Sequence, residues 1–132
     1  SDVASKVGLS TTPCWRRIQA MEKSGIIRGR VVLTNAEMLN VGLTVFVMIK
    51  TNQHNPDWLD DFGKIADEFQ EIIEFYRMSG EVDYLLKVVV PDMKAYDAFY
   101  KKLIDKASFA DISSSFAMEE MKYTTALPVD YI

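Results

Sequence analysis

Cysteine and histidine are scarce in this sequence. Its 132 residues include one of each, Cys14 and His54. A single cysteine excludes a disulfide within the chain, so we expect a reducing compartment, the cytoplasm. One cysteine and one histidine are too few for a structural zinc site, and they argue against a cysteine–histidine nucleophile. We therefore predict no metal, no cofactor and no enzymatic activity.

Long apolar runs are also absent. No run approaches the roughly 20 residues that cross a bilayer, because Lys50, Lys87 and Lys94 interrupt the longest candidates. The first residues lack the basic-then-apolar order of a signal peptide. Hydrophobic residues make up 48% and charged residues 26%, a balance typical of a chain that folds. The sequence predicts a soluble intracellular protein with no membrane partner.

Charge is unevenly distributed along the chain, although the net charge is only −4. Residues 1–30 contain six basic and two acidic side chains, a charge of +4. The remainder contains nine basic and seventeen acidic side chains, a charge of −8. A short basic segment joined to an acidic body indicates two functions, with a polyanion bound at the basic end.

The basic segment has the pattern of a helix-turn-helix. A short helix is predicted over residues 2–8, followed by a glycine turn and a second helix over 10–23 with Ser10 as its N-cap. The β-branched and basic residues 26–33 predict a wing strand. Such units normally contain a further helix upstream, so we expect the chain to be truncated at its N-terminus.

The body of the chain alternates between strand and helix patterns. Two helices are predicted to begin at Asn55-Pro56 and at Pro91-Asp92, where the prolines suit a first turn. Strands are predicted over residues 43–49, 72–79, 84–90 and 111–122. The order βαββαβ is ferredoxin-like, and right-handed crossovers place both helices on one face of the sheet.

The predicted sheet is apolar on both faces. The strands at 43–49 and 84–90 are almost continuously apolar, yet the two helices can cover only one face. The simplest cover for the other face is the same sheet of a second copy, related by a two-fold axis. We therefore predict a dimer at least.

Three segments resemble the leucine-responsive regulatory protein / AsnC family, the feast-or-famine transcription regulators of bacteria and archaea. These segments are VGLSTTPCWRRIQAMEKSGII (7–27), MSGEVDYLLKVVVPDMKAYDAF (78–99) and SSFAMEEMKYTTALP (114–128). Their order and spacing extend the resemblance over essentially the whole chain.

The resemblance implies an α+β fold in three parts. These are a partial winged helix-turn-helix DNA-binding domain over residues 1–30, a linker strand over 31–40, and a ferredoxin-like effector-binding and oligomerisation domain over 41–132. The implied partners are double-stranded DNA, an amino-acid effector and further copies of the chain, as a homodimer that assembles to a tetramer or octamer. The implied location is the cytoplasm of a bacterium or archaeon, in association with the nucleoid.

The same resemblance places the helix over residues 10–23 in the major groove. Threonine hydroxyls at its start can contact phosphates or base edges, and Arg16 can reach base acceptors, whereas Arg17 is expected to hold a phosphate. Trp15 is expected either to contact DNA or to pack against the missing upstream helix or the linker. The candidate DNA-binding residues are Ser10, Thr11, Thr12, Trp15, Arg16, Arg17, Arg28 and Arg30.

The loop over residues 79–84 is the candidate effector site. Gly80 permits positive φ, so that backbone N–H groups can converge on a carboxylate, Asp83 could face an ammonium, and Tyr84 could form a wall. The residues alone favour an ordinary hairpin with an acidic tip, but the resemblance reverses this and favours an amino-acid site. The candidates are Ser79, Gly80, Glu81, Val82, Asp83, Tyr84 and, from a neighbouring subunit, Thr124 and Thr125.

Two other functions were weighed against a regulator. A stand-alone amino-acid sensor would act through oligomerisation, but the helix-turn-helix argues against it. A dimeric α+β-barrel enzyme would need a metal, a haem ligand or an acid–base pair, and His54 on a polar turn supplies none of these.

Overall fold

The computed structural model describes residues 1–132 and contains four helices and four strands. In chain order they are α1 (Asp2–Lys6), α2 (Thr11–Ser24), β1 (Leu43–Lys50), α3 (Pro56–Asp67), β2 (Ile72–Arg77), β3 (Tyr84–Val90), α4 (Met93–Lys106) and β4 (Asp111–Phe116). The chain divides into two units, residues 1–34 and 35–132. No helix has the length and apolar character needed to cross a membrane.

Two helices joined by a glycine turn form the first unit, as predicted. Gly8 follows α1 with a φ of 72°, and Gly25 ends α2 with a φ of 90°. Both are left-handed conformations that a side chain would strain. Ala4 and Cys14 are the only buried side chains of this unit, at 3% and 5% exposure.

No strand forms between α2 and β1, which corrects two predictions. The wing strand over 26–33 and the linker strand over 31–40 are both absent. The physical reason is that a strand requires a partner backbone, and no other segment of this chain forms backbone hydrogen bonds with residues 28–34. β-branched composition alone therefore did not produce a strand here.

A helical turn replaces the second half of the predicted linker strand. The side-chain oxygen of Asn35 accepts a hydrogen bond from the Met38 N–H at 3.1 Å, and so caps the turn. Asn40 ends it with a φ of 57°, a left-handed conformation that asparagine tolerates. The turn belongs to the second unit.

The second unit is a four-stranded antiparallel sheet in the order β2-β3-β1-β4. Its connections follow the predicted βαββαβ sequence, so the ferredoxin-like fold is confirmed. Both helices begin at or next to the residues predicted for their first turns. Asn55 accepts a hydrogen bond from the Trp58 N–H at 2.8 Å, and Asp92 accepts one from the Ala95 N–H, also at 2.8 Å.

The hydrophobic core lies between the two helices and one face of the sheet. From β1, Val45, Val47 and Ile49 are fully buried, and Leu86 and Val88 of β3 lie beside them. The helices contribute buried aromatic and aliphatic side chains to the same cluster, namely Phe62, Tyr96, Phe99 and Leu103. Both helices therefore lie on one face, as predicted.

The opposite face of the sheet carries no helix and is called the open face below. On the central strands β1 and β3 it carries Phe46, Met48, Leu85, Lys87 and Val89, all of them partly buried. By register the outer strands add mostly polar residues to this face, among them Glu74, Tyr76, Ser113 and Ser115. Lys87 is the only charged member of the central set, and its Nζ lies 3.4 Å from a carboxylate oxygen of Glu74 on β2. The predicted second apolar face therefore exists, with an ion pair within it.

Strand β4 is shorter than predicted, since it ends at Phe116 and not at residue 122. Phe116 pairs with Val45, and the Ala117 N–H donates to the Thr44 carbonyl, one residue from the start of β1. Because β1 begins at Leu43, the chain beyond Ala117 has no neighbouring strand with which to pair. Residues 117–132 are exposed and form neither helix nor strand.

Candidate functional site

The first turn of α2 presents unpaired polar groups to solvent. Ser10 occupies the predicted N-cap position with φ −72° and ψ 161°. Its hydroxyl makes no capping hydrogen bond, which corrects the expectation that the side chain caps the helix. Thr11 and Thr12 are exposed beside it, and no acidic residue lies in this turn. Hydroxyls and free N–H groups at a positive helix end suit a phosphate.

Three consecutive residues in the middle of α2 project into solvent. Trp15 is 58% exposed, and Arg16 and Arg17 are also exposed. Neither arginine forms a salt bridge, whereas Arg30 forms one. Exposed cations without a carboxylate partner retain their full charge for a polyanion.

The two arginines that follow α2 differ in their surroundings. The Arg30 guanidinium forms a salt bridge with the Glu22 carboxylate, with Nε 2.9 Å from Oε1. Arg28 is exposed and has no such partner. Arg28 can therefore contact the DNA backbone without breaking another interaction. Arg30 would first have to break its salt bridge with Glu22 before it could bind a phosphate.

The loop over residues 79–84 is fixed to the end of β1 through Asp83. The Thr51 N–H donates to the Asp83 carboxylate at 2.9 Å, and the Asp83 N–H donates to the Ile49 carbonyl at 2.9 Å. The Met78 N–H donates to the Asp83 carbonyl at 2.8 Å. Gly80 has a φ of 107°, as a tight turn requires. These bonds anchor the end of the loop at Asp83, and one Asp83 oxygen is used in them.

Tyr84 lies in the aromatic core, which corrects its predicted place as a wall on the loop. It is 5% exposed, with its ring centroid 5.5 Å from that of Trp58, 5.7 Å from Phe62 and 5.8 Å from Phe75. Its position follows from strand alternation, because Tyr84 shares the inward face of β3 with Leu86. The exposed polar groups of the loop are those of Ser79 and Glu81.

Thr124 and Thr125 are exposed on the segment after β4 and make no hydrogen bond to the loop within one chain. The Thr124 hydroxyl instead accepts from the Ala126 N–H at 3.1 Å. A joint role with the loop would therefore require a second copy.

Two functional features were missed in the sequence. Thr51 is 4% exposed and anchors the loop, but its partner Asp83 is 32 residues away. Glu74 and Lys87 form an ion pair on the open face. The only indication of it in the sequence is the lysine in the middle of the otherwise apolar strand YLLKVVV. Among all residues, no group of three or more histidine, cysteine or acidic side chains is arranged to hold a metal.

Replacing Asp83 by alanine tests whether this carboxylate anchors the loop. Asp83→Ala is expected to lower the free energy of unfolding by about 1–3 kcal/mol, because a partly buried N–H loses a charged acceptor. Urea unfolding followed by circular dichroism measures the effect. Glu81→Ala, on an exposed residue of the same loop, is the control and should change stability by less than about 0.5 kcal/mol. Equal stabilities for the two variants would contradict the anchoring role.

Replacing Glu74 by glutamine gives a pH-dependent effect. The hydrogen bond from the Tyr76 hydroxyl, with a further contribution from Lys87, lowers the pKa of Glu74 from 4.5. A carboxylate with a lowered pKa adds stability above its unfolded pKa and loses it as the pH falls through the folded value. At neutral pH the free energy of unfolding of the wild type should exceed that of Glu74→Gln by about 0–1 kcal/mol. The difference is small because solvent screens the pair of Glu74 and Lys87. Urea unfolding should show no difference well below pH 4.5; a difference that persists there would contradict this assignment.

Both units match known protein families. Residues 44–127 match the Lrp/AsnC ligand binding domain, and residues 1–28 match a winged helix-turn-helix DNA-binding domain. The chain is 47% identical over 129 residues to the DNA-binding transcriptional activator DecR of Escherichia coli strain K12, with 97% of this chain and 85% of DecR covered.

Solved structures agree with this assignment. An AsnC family transcriptional regulator from Agrobacterium tumefaciens is 60% identical, with a TM-score of 0.95 over 99% of this chain and 86% of that one. A transcriptional regulator from Neisseria meningitidis, crystallised as an L-Met complex, is 32% identical, with a TM-score of 0.90 over 97% of this chain and 83% of that one. These matches exclude the enzyme and the stand-alone sensor considered above, and the chain belongs to the Lrp/AsnC family of DNA-binding transcriptional regulators.

Proposed function

We propose that α2 is the helix that enters the major groove of duplex DNA. The observation that supports this most directly is the exposed pair Arg16 and Arg17, without acidic partners, behind a helix start that offers three free hydroxyls. In this arrangement Thr11, Thr12 and Arg16 face base edges, while Ser10, Arg17 and Arg28 contact phosphates. Trp15 is exposed on the same helix and is available for the sugar-phosphate backbone.

The open face of the sheet supports a homodimer as the unit that binds DNA. Phe46, Met48, Leu85 and Val89 form an apolar surface that no helix of the chain covers. A second copy related by a two-fold axis would cover it and would also present two α2 helices to two half-sites. We further propose that dimers assemble to tetramers or octamers and that the regulator acts on DNA in the cytoplasm.

The loop over residues 79–84 supports binding of an amino acid. Exposed Ser79 and Glu81, the backbone beside Gly80 and the second oxygen of Asp83 offer partners for a carboxylate and an ammonium. The Neisseria meningitidis relative was crystallised with L-Met, which shows an amino acid bound to a related regulator. Thr124 and Thr125 of a neighbouring copy would complete the site.

Two measurements test the proposal. Fluorescence anisotropy with duplexes selected from a random pool should show specific binding whose affinity falls steeply as salt rises. Light scattering coupled to size exclusion, with each of the twenty amino acids added in turn, should show a dimer or larger assembly that shifts with a few of them. Absence of duplex binding would overturn the assignment of α2, and an assembly indifferent to every amino acid would overturn the effector site.

A further inference from the structure

Glu22 is the only acidic residue of α2, the helix that carries most of the candidate DNA contacts. The same helix has three basic residues, Arg16, Arg17 and Lys23. Glu22 follows Trp15 by seven residues, about two helical turns, so their side chains lie on the same side of α2. Trp15 is 58% exposed and available for the backbone of DNA. A carboxylate therefore borders the surface of α2 that faces DNA in the proposed complex.

The chain turns after α2 and brings Arg30 to this carboxylate. The Ile27 N–H donates to the Met21 carbonyl at 3.1 Å, so the segment after the helix starts beside its last turn. The Arg30 Nε donates to Glu22 Oε1 at 2.9 Å, and a second guanidinium nitrogen donates to the same oxygen. No other hydrogen bond joins residues 28–34 to the rest of the chain. The salt bridge is therefore the only polar contact that ties this segment to α2.

We propose that Glu22 is an internal competitor of DNA, which occupies Arg30 in the free protein and so lowers the affinity for duplex. This competition requires the placement of α2 in DNA that is proposed above, and so rests on that proposal. A guanidinium binds a carboxylate and a phosphate through the same planar set of N–H donors, so the two anions compete for Arg30. Arg30 contacts a phosphate only after it leaves Glu22, whereas Arg28 has no such partner to leave.

The salt bridge is weak enough for DNA to displace it. The Arg30 side chain is 72% and the Glu22 side chain 35% exposed, so solvent and salt screen their attraction. An exposed ion pair of this kind changes an equilibrium constant by a factor of up to about five. Binding to a phosphate also releases a counterion from DNA, which favours the exchange most at low salt. Arg30 is therefore expected to change partners on binding, and the duplex affinity is lowered by the cost of leaving Glu22.

Replacing Glu22 by glutamine tests the competition. Glu22→Gln keeps the shape of the side chain but removes its charge, so Arg30 is released before DNA arrives. Affinity for a selected duplex, measured by fluorescence anisotropy at fixed salt, is expected to rise about threefold to fivefold. Asp2→Asn is the matched control, because Asp2 is the other acidic residue among residues 1–30, is exposed and forms no salt bridge. Its affinity should stay within about 1.5-fold of wild type.

A double-mutant cycle with Arg30→Ala separates competition from a general effect of charge, and circular dichroism checks that each variant is folded. Without Arg30 there is no guanidinium to release, so adding Glu22→Gln to Arg30→Ala should change affinity by less than about 1.5-fold. An equal or larger gain in the absence of Arg30, or no gain in its presence, would overturn the competition alone. Absence of duplex binding by the wild type would overturn the placement of α2 and the competition together.

Discussion

Replacing Arg16 and Arg17 together by alanine is expected to weaken binding to a selected duplex at least about 100-fold at fixed salt. Both side chains are exposed and free of acidic partners, so each alanine removes a contact that α2 makes with DNA in the proposed complex. The slope of log affinity against log salt should also fall by about 1 for each phosphate contact removed. Fluorescence anisotropy at several salt concentrations measures both quantities.

The control for this variant removes the same charge from the other unit. Lys94 and Lys102 are exposed on α4 and form no salt bridge, so Lys94→Ala with Lys102→Ala should leave duplex affinity within about threefold. Equal losses in both double variants would show that binding follows net charge alone. An unchanged affinity after loss of Arg16 and Arg17 would place the DNA contact on another element.

Phe62→Ala is expected to lower the free energy of unfolding by about 3–5 kcal/mol. Phe62 is 1% exposed, and its ring centroid lies 5.1 Å from those of Trp58 and Phe75 and 5.3 Å from that of Phe109. Truncation leaves a cavity between α3 and the sheet that these rings cannot fill without shifting. Urea unfolding at a fixed protein concentration measures the loss, because assembly contributes to the apparent stability.

Two further variants locate the effect of Phe62. Phe62→Leu keeps most of the volume and should cost less than about 1.5 kcal/mol. Ile73→Ala removes an apolar side chain that is 51% exposed, so its effect should be less than about 1 kcal/mol. A cost below 1 kcal/mol for Phe62→Ala would contradict the central place of this ring in the core.

The features of the fold that were predicted correctly are those determined by residues close together in the sequence. Asn55 and Asp92 cap α3 and α4 through residues three positions away, and the apolar alternation of β1 and β3 sets which side chains point inward. Once the order βαββαβ is known, short right-handed connections allow few arrangements of the four strands in the sheet. The order of elements along the chain and the placement of both helices on one face followed from these local signals.

The features that were missed depend on distant parts of the chain. Strand β4 stops at Phe116 because β1 begins at Leu43, and no pattern within residues 111–122 contains that information. The wing and linker strands fail because nothing in the chain pairs with them. Tyr84 shares one side of β3 with Leu86, but the strand YLLKVVV is apolar on both sides, and only the aromatic cluster from α3 and β2 determines that the side with Tyr84 is the buried one.

The anchoring of Asp83 determines the thermodynamics of any event at the loop over residues 79–84. Three hydrogen bonds from backbone N–H groups, all of them made with Asp83, hold this end of the loop in place before a ligand arrives, so the conformational entropy of Asp83 is already lost on folding. A ligand that docks there orders few additional residues, and its binding should show a small heat-capacity change and little added protection of loop amides from hydrogen exchange. In the proposed assembly, a signal from this loop would therefore act through the arrangement of the copies and not through folding at Asp83.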